Sequence, residues 1–258
     1  MKKDDDLGLS TANYCVFSPR EIVRLSVEVR TNQKIAAERM VLKQKKQTLN
    51  WDVDETKVLT DSQRRTLRRS CRDHKEKALK AGRTTEVKDW FVVMTGLETG
   101  LRVDEMAKLV VSDLQMKSGH KSVRVRCGKG GRRRVVVVRR AFVEMANEFL
   151  EWKGKQGESL SDDAPVFSTK GRPMTCRGLQ KAYDRSRRRA GVVQEKGVGI
   201  HSLRHTFATN LLSGTRNIRF VQRQLGHASV RTTEIYSHIL DALMLIEKLY
   251  VKRPISRC

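Results

Sequence analysis

The 258-residue sequence is poor in cysteine, and its few cysteines are badly placed for cross-linking or metal binding. They are odd in number, far apart and without a C-x-x-C pair: Cys15, Cys71, Cys127, Cys176 and Cys258. This spacing argues against a structural zinc site and against a disulfide framework. We therefore expect reduced thiols and a chemistry that uses no metal.

Long apolar runs are also missing. No stretch approaches the roughly 20 apolar residues that a helix needs to cross a bilayer. The N-terminal segment MKKDDDLGLS lacks the apolar core of a signal peptide. The sequence therefore predicts a soluble, intracellular protein with no membrane partner.

Acidic residues are scarce compared with basic ones. The chain has 53 Lys and Arg against 29 Asp and Glu, a formal net charge of +24 and a pI near 10.3. Such a surplus favours a polyanionic partner, with nucleic acid first and an anionic membrane surface second. The hydrophobic content of 38% is enough to bury a core, so a folded enzyme is possible.

Hydrophobic periodicity divides the chain into a short arm and a main domain. Residues 18–49 open with S-P-R-E, a good helix start, and carry apolar residues at helical spacing. The pattern breaks at LNWDVDETKVL. We expect a short N-terminal helical arm over residues 1–56 and one larger domain over residues 57–258.

The main domain reads as mostly helical with one interruption. Helical spacing or a helix start marks LTDSQRRTLRRS, EVKDWFVVMTGL, the segment after TGLR, the segment from Thr175 to Gly191, HSLRHTFATNLL and IRFVQRQLG. Ser229 is expected to cap a short helix bearing Tyr236, and a separate final helix carries the apolar stripe from Ile239 to Tyr250. Between these helices, SVRVR, CGKGGR and RRVVVV predict an antiparallel hairpin with Lys129 at its tip.

Several motifs acquire meaning from their order. A helical histidine is more often structural than catalytic, and GKGG alone is more often a solvated turn. Here TGLR, the lysine-tipped hairpin, HSLRH, LGH and a tyrosine nine residues later follow one another. In that order they resemble the tyrosine recombinase (phage integrase) family over roughly residues 57–240. The resemblance implies an α+β catalytic domain, mainly helical with a small antiparallel sheet.

The resemblance also implies a role for each matching residue. Tyr236 corresponds to the nucleophile, Lys129 to the hairpin lysine, and Glu105 to a supporting acidic position. Arg102, His201, Arg204 and His227 correspond to the groups that surround the scissile phosphate. His205 is also common in the family, but the sequence leaves open whether it supports the site or only packs within its helix.

The chemistry of these residue types is consistent with that assignment. A phenol with a pKa of about 10 is almost wholly protonated at neutral pH and needs a proton acceptor, for which His201 is the candidate. Two arginines can bind the non-bridging phosphate oxygens, His227 can donate a further hydrogen bond, and Lys129 can protonate the leaving 5′-oxygen. The 3′-phosphotyrosine product conserves bond energy, so no metal, nucleotide or other cofactor is expected.

Basic residues outside this set are candidates for DNA contact. Lys181, Arg185 and Arg188 lie on the Thr175 helix, and Arg132 and Arg133 follow the hairpin tip; the alternative is a merely solvated charged face. Of the other tyrosines, Tyr183 and Tyr250 lie in apolar stripes, which indicates core or interface positions. Double-stranded DNA is the expected partner, bound by a homo-oligomer, a tetramer joined through the final helix, although the sequence does not decide between cis and trans docking of that helix.

These features together predict a site-specific DNA recombinase or integrase of a mobile element, located in the cytoplasm with the nucleoid. Two alternatives remain: a type IB topoisomerase-like enzyme with the same chemistry, and a non-catalytic DNA-binding relative. The arm of about 56 residues is short for a DNA-clamping domain. It could be a reduced clamp, a partner-binding helix pair or a remnant.

Overall fold

The computed structural model describes residues 57–116, 121–126, 133–193 and 199–251, with side chains as far as residue 241. The N-terminal arm, the hairpin tip with Lys129 and Arg132, and the side chain of Tyr250 lie outside the described residues. The domain division near residue 56 therefore stays a prediction.

Helices make up most of the described chain. They are α1 (Asp61–Lys80), α2 (Thr85–Thr99), α3 (Val103–Ala107), α4 (Arg140–Lys155), α5 (Cys176–Arg189), α6 (His201–Thr215), α7 (Ile218–Leu225) and α8 (Arg231–Val251). None of those described is both long and apolar enough to cross a lipid bilayer.

Two small antiparallel sheets complete the described fold. The first has the order β1 (Leu114–Gln115), β2 (Ser122–Val125), β3 (Arg134–Val137), with Val123 opposite Val136. The second is the hairpin β4 (Ser168–Thr169) and β5 (Arg172–Pro173). The predicted α+β class, mainly helical with a small antiparallel sheet, is confirmed.

Helix α2 is the centre of the core. It contacts α1, α4, α5 and α6, and nearly all its residues from Val87 onward are buried. The Phe91 ring stacks on Phe149 at a centroid distance of 4.1 Å and on Phe142 at 6.0 Å. These four helices thus pack around α2. The C-terminal end of α2 leads directly into Arg102.

Most helix ends lie where the sequence places them. Thr60 forms a capping box with Gln63 before α1, and the Thr175 side chain accepts from the Gly178 N–H at the start of α5. Gly226 ends α7 with a left-handed φ of 66°. The caps satisfy backbone groups that the helix itself leaves unpaired, so these local signals survive in the folded chain.

Two elements differ from the sequence expectation. The short helix with Tyr236 and the final helix are one continuous helix, α8, so their separation was wrong. No glycine or proline interrupts residues 231–251, and nothing there stops the helix. Helix α4 was not predicted, although its buried Phe142, Val143, Ala146 and Phe149 follow helical spacing.

The repeated TG pairs of α2 let α6 approach closely. A Cβ added to Gly96 would lie 2.6 Å from Leu203 Cδ1, and a Cβ on Gly100 would overlap the Phe207 ring. Gly100 also has a left-handed φ of 60° as the cap of α2. Only glycine fits both demands at that position. The close approach brings the Gly100 carbonyl to Arg204 of α6.

We expect Gly100→Ala to lower the free energy of unfolding by about 2–4 kcal/mol, since it adds left-handed strain and overpacking against Phe207. Two glycines serve as controls in denaturant titrations. Gly82 has a φ of 65° but open space around it, so Gly82→Ala should cost only about 1 kcal/mol. Gly214, inside α6 with open space, should be neutral or slightly stabilised by alanine. Equal losses at Gly100 and Gly82 would contradict the packing argument.

Candidate active site

Arg204 is the central side chain of the candidate site. It is buried on α6, where Nη1 donates to the Gly100 carbonyl at 2.6 Å and Nη2 to the Leu225 carbonyl at 2.7 Å. These two carbonyls lie at the C-terminal ends of α2 and α7, where helix dipoles present partial negative charge. Burial and the positive charge of Arg102 lower the pKa of Arg204 to about 10, and the group stays charged at neutral pH.

Glu105 joins three arginines. This carboxylate is only 4% exposed and accepts two hydrogen bonds from Arg134, at 2.7 and 2.8 Å. It also accepts from the backbone N–H of Arg102 at 2.8 Å and from its Nη1 at 3.2 Å, while Arg204 Nη1 lies 3.9 Å away. Burial alone would raise the pKa of Glu105, but the hydrogen bonds and charge of Arg134 outweigh it and lower that pKa to about 2.

His227 lies between Arg204 and α8. Its Nε2 is 3.2 Å from Arg204 Nη2, and its Nδ1 is 3.0 Å from the Thr233 hydroxyl. Arginine has no acceptor, so Nε2 must accept this hydrogen bond and therefore carries no proton here. Burial and the charge of Arg204 lower the pKa of His227 to about 3, which keeps the imidazole neutral.

Tyr236 of α8 lies against this cluster of Arg204, His205 and His227, and all four residues belong to one chain. The side chain is buried, its hydroxyl lies 3.2 Å from His205 Nδ1, and its ring stacks on His227 at 6.3 Å. Burial raises the pKa of the phenol, while the charges of Arg204 and Arg102 oppose that rise. Burial and Arg204 lower the pKa of His205 to about 4, so a neutral imidazole faces the hydroxyl.

His201 is placed differently from the sequence expectation. It was the expected acceptor of the phenolic proton, yet it is exposed at the first residue of α6 and the described residues show no hydrogen bond to it. His205, one helical turn later, contacts the Tyr236 hydroxyl instead. The described contacts with Tyr236 thus favour His205, and the role of His201 as proton acceptor stays a prediction. Partial burial and Arg204 lower the pKa of His201 as well.

The charge of the cluster can be counted from these contacts. Arg102, Arg134 and Arg204 supply three positive charges against the single negative charge of Glu105, and the lowered pKa values leave His205 and His227 neutral. The described site therefore carries two net positive charges. Such a site favours an anion whose negative charge increases during a reaction.

Predicted DNA-contact residues divide into two groups. Lys181, Arg188 and Arg133 are exposed, as a phosphate contact requires. Arg185 is not free, because its Nη2 and Nε bind the buried Asp89 carboxylate at 2.5 and 2.9 Å. Its guanidinium neutralises an acid in the middle of α2, and the expected DNA contact of Arg185 stays a prediction.

The competing tyrosine that the structure describes is a core residue. Tyr183 is fully buried, and its hydroxyl lies 2.8 Å from the Ser202 hydroxyl. Its predicted core position is confirmed.

Sequence reasoning missed Arg134 and Thr233. Three arginines stand in a row at residues 132–134, and nothing in composition separates them. The alternation of side chains along β3 distinguishes Arg134 from the other two, because Arg134 shares the inward face of the strand with the buried Val136. Thr233 had no such signal. Within the described ranges, no group of three or more His, Cys, Asp or Glu side chains is arranged to hold a metal ion.

Comparison with known proteins agrees with this geometry. The chain is 34% identical over 148 residues to tyrosine recombinase XerD of Halalkalibacterium halodurans, which covers 57% of this chain and 48% of that protein. It is 33% identical over 178 residues to tyrosine recombinase XerC of Thermodesulfovibrio yellowstonii, covering 67% of this chain and 57% of that one. The chain thus spans about half the length of these relatives.

Solved structures share the fold. The XerA recombinase superposes with a TM-score of 0.59 at 27% identity, over 76% of this chain and 66% of that one. The XerH site-specific recombinase, in a post-cleavage complex with a palindromic difH substrate, gives 0.60 at 25% identity, over 76% and 53% of the two chains. The phage integrase family model matches residues 57–242, well over half of the sequence. The chain belongs to the phage integrase family.

Proposed function

We propose that this chain is a site-specific recombinase that cuts DNA strands through Tyr236 and rejoins them to new partners. The observation that carries the proposal is the convergence, in one chain, of a buried phenol and a cluster with two net positive charges. A phosphodiester has one negative charge, and attack by the phenol with loss of its proton gives a dianionic phosphorane. The positive cluster therefore stabilises the dianionic phosphorane more than the singly charged phosphodiester, as catalysis by differential binding requires.

Arg102 and Arg204 are the proposed phosphate-binding groups. The Arg102 side chain is partly exposed, and among the described residues its guanidinium forms one hydrogen bond, to Glu105. Arg204 is fixed by two carbonyls, which orient its remaining N–H groups. Charge-assisted hydrogen bonds from both guanidiniums would hold the non-bridging oxygens and strengthen as charge develops.

His205 is the proposed proton acceptor, replacing His201 in that role. As the Tyr236 oxygen forms its bond to phosphorus, the phenolic proton passes to His205 Nδ1, which already lies 3.2 Å away. The bond from phosphorus to the 5′-oxygen breaks, and the family resemblance assigns Lys129 as the proton donor to that oxygen. The products are a 3′-phosphotyrosine and a free 5′-hydroxyl, and the reverse reaction reseals the strand.

His227 changes partners in this scheme. In the free protein its Nε2 accepts from Arg204. Donation to a phosphoryl oxygen requires the imidazole proton to move to Nε2, and the Arg204 N–H that now binds Nε2 to bind the phosphate instead, while both carbonyl contacts of Arg204 are kept. The Thr233 hydroxyl can donate as well as accept, so it can serve Nδ1 in either tautomer.

The wider setting follows from charge and from the relatives. A net charge of +24 and the exposed Lys181, Arg188 and Arg133 suit double-stranded DNA. We further propose integration or excision of a mobile element by a tetramer joined through the C-terminal part of α8, in the cytoplasm with the nucleoid. The relatives named tyrosine recombinases, and XerH named a site-specific recombinase, support recombination over topoisomerase-like relaxation.

The proposal is tested with a nicked duplex that loses its 5′-hydroxyl fragment after cleavage. A covalent protein–DNA adduct should survive denaturation and should form in excess EDTA. No adduct on any duplex tried, including random-sequence libraries, would contradict strand cleavage. Relaxation of supercoiled plasmid without exchanged products would instead indicate a topoisomerase.

The pH dependence of cleavage should identify the proton acceptor. His205 accepts a proton only when neutral, and burial with the nearby Arg204 lowers its pKa to about 4. The rate should therefore stay high as pH falls through 6.5, the usual histidine value, and decline only near pH 4. His205→Gln should slow cleavage by about a hundredfold and remove that decline.

A matched control is His74, which binds the Ser70 carbonyl on α1 at 2.8 Å. His74→Gln should leave both rate and profile unchanged. A decline that disappears in His201→Gln but persists in His205→Gln would instead return the acceptor role to His201.

A further inference from the structure

We propose that Arg134 is a positioning residue for strand cleavage, because it holds Glu105 in the orientation that aligns Arg102 and Arg204. This inference rests on the proposed function, but its structural half can be tested without cleavage. Arg134 touches no phosphate in this scheme. It acts through the carboxylate that both phosphate-binding arginines approach.

The guanidinium of Arg134 is buried and binds other groups of the protein. Its side chain is only 9% exposed. Both terminal nitrogens donate to the two oxygens of Glu105, at 2.7 and 2.8 Å, and Nε donates to the Gln224 carbonyl at 3.0 Å. Every nitrogen of the guanidinium therefore has a protein acceptor, in a planar arrangement that lysine cannot reproduce.

The surrounding chain is shaped to accept this arginine. A Cβ on Gly226 would lie 2.7 Å from Arg134 Cδ, so the glycine that ends α7 also makes room for the arginine stem. The Gln224 side chain accepts from the Val137 N–H at 3.0 Å, which fixes β3 to α7 at a second point. Hydrogen bonds thus join strand β3 to Glu105 of α3 and to Gln224 of α7.

Loss of Arg134 would redirect Glu105. The charged groups that face this carboxylate are Arg102 at the start of α3, Arg134 of β3 and Arg204 of α6. Without Arg134, the buried charge must be neutralised by the other two. Arg204 Nη1, now 3.9 Å from Glu105 and bound to the Gly100 carbonyl, is the available replacement. Its movement toward Glu105 would misalign the proposed phosphate site.

The closing experiment compares Arg134→Lys with Arg139→Lys. Arg139 is the matched control, since it also binds a buried carboxylate, Glu98, at 2.7 and 3.2 Å, but contacts no residue of the candidate site. Single-turnover cleavage of the nicked duplex should slow by about ten- to a hundredfold in Arg134→Lys, because small misplacements of catalytic groups are costly. DNA affinity should stay unchanged, and Arg139→Lys should match the parent in both.

A second variant and a second readout keep the inference falsifiable. Glu105→Gln retains the shape but releases the ion pair, and should slow cleavage similarly; the double variant should be no slower than the slower single one. The Nε–H resonances of Arg102 and Arg204 should shift in Arg134→Lys without DNA.

Parental cleavage with unmoved resonances, or additive losses in the double variant, would overturn the inference. Absence of adduct in the parent protein would overturn the proposed function alone, since the resonances still report the positioning.

Discussion

Replacing Tyr236 by phenylalanine is expected to abolish the covalent protein–DNA adduct while leaving duplex affinity unchanged. The substitution removes one oxygen and keeps the ring that packs against His227 and His205. Loss of a catalytic nucleophile lowers rates by on the order of 10⁴-fold or more. Because the phenol is buried away from the exposed basic residues, DNA binding should not depend on its hydroxyl.

The measurement is adduct yield on the nicked duplex after denaturation, together with duplex affinity by fluorescence anisotropy. Tyr183→Phe is the matched control, since Tyr183 is also buried and its hydroxyl likewise has a partner, Ser202. That variant should form adduct at the parental level. Undiminished adduct in Tyr236→Phe would show that another residue attacks the phosphate.

Arg204→Lys is expected to slow cleavage by at least about a hundredfold, the usual effect of removing one donor that stabilises a developing anion. The substitution retains the charge but loses the planar guanidinium. One ammonium cannot reach the Gly100 carbonyl, the Leu225 carbonyl and His227 in the directions that Arg204 does. The phosphate would lose an oriented donor, and His227 would lose its partner.

Single-turnover rates at saturating DNA separate this loss from weaker binding. Arg187→Lys offers a control, because Arg187 also donates to a backbone carbonyl, that of Val192, but belongs to α5. It should cleave at the parental rate. Near-parental cleavage by Arg204→Lys would place the guanidinium outside the reaction.

Local signals account for the parts of the fold that the sequence predicted. Each of the caps at Thr60, Thr175 and Gly226 joins residues that are only a few positions apart. Such caps can therefore be predicted from the sequence. The single helix α8 was misread because a cap-like Ser229 was taken to begin a separate short helix. In the fold, Ser229 does accept from the Arg231 N–H at 3.2 Å at the start of α8, but no helix breaker after Tyr236 ends the helix there.

The residues of the candidate site were predicted through the order of their motifs, whereas contacts between distant segments could not be predicted from the sequence. His201 and His205 are both on α6, and only the packing of α8 selects His205. The ion pair of Arg185 with Asp89 could not be predicted, because the two residues lie 96 positions apart in the chain. The sequence does contain one indication, because Asp89 lies within the largely apolar segment VKDWFVV and a buried carboxylate requires a cation as partner.

In the arrangement described above, one chain supplies both the arginines and the tyrosine of a single active site. Mixing Tyr236→Phe protein with Arg204→Lys protein on the nicked duplex tests this directly. Each protomer then carries one defect in its own site, so the mixture should form no more adduct than the separate variants. Adduct restored by mixing would mean that the tyrosine acts in a neighbouring protomer, contrary to the arrangement of α6 and α8 described above.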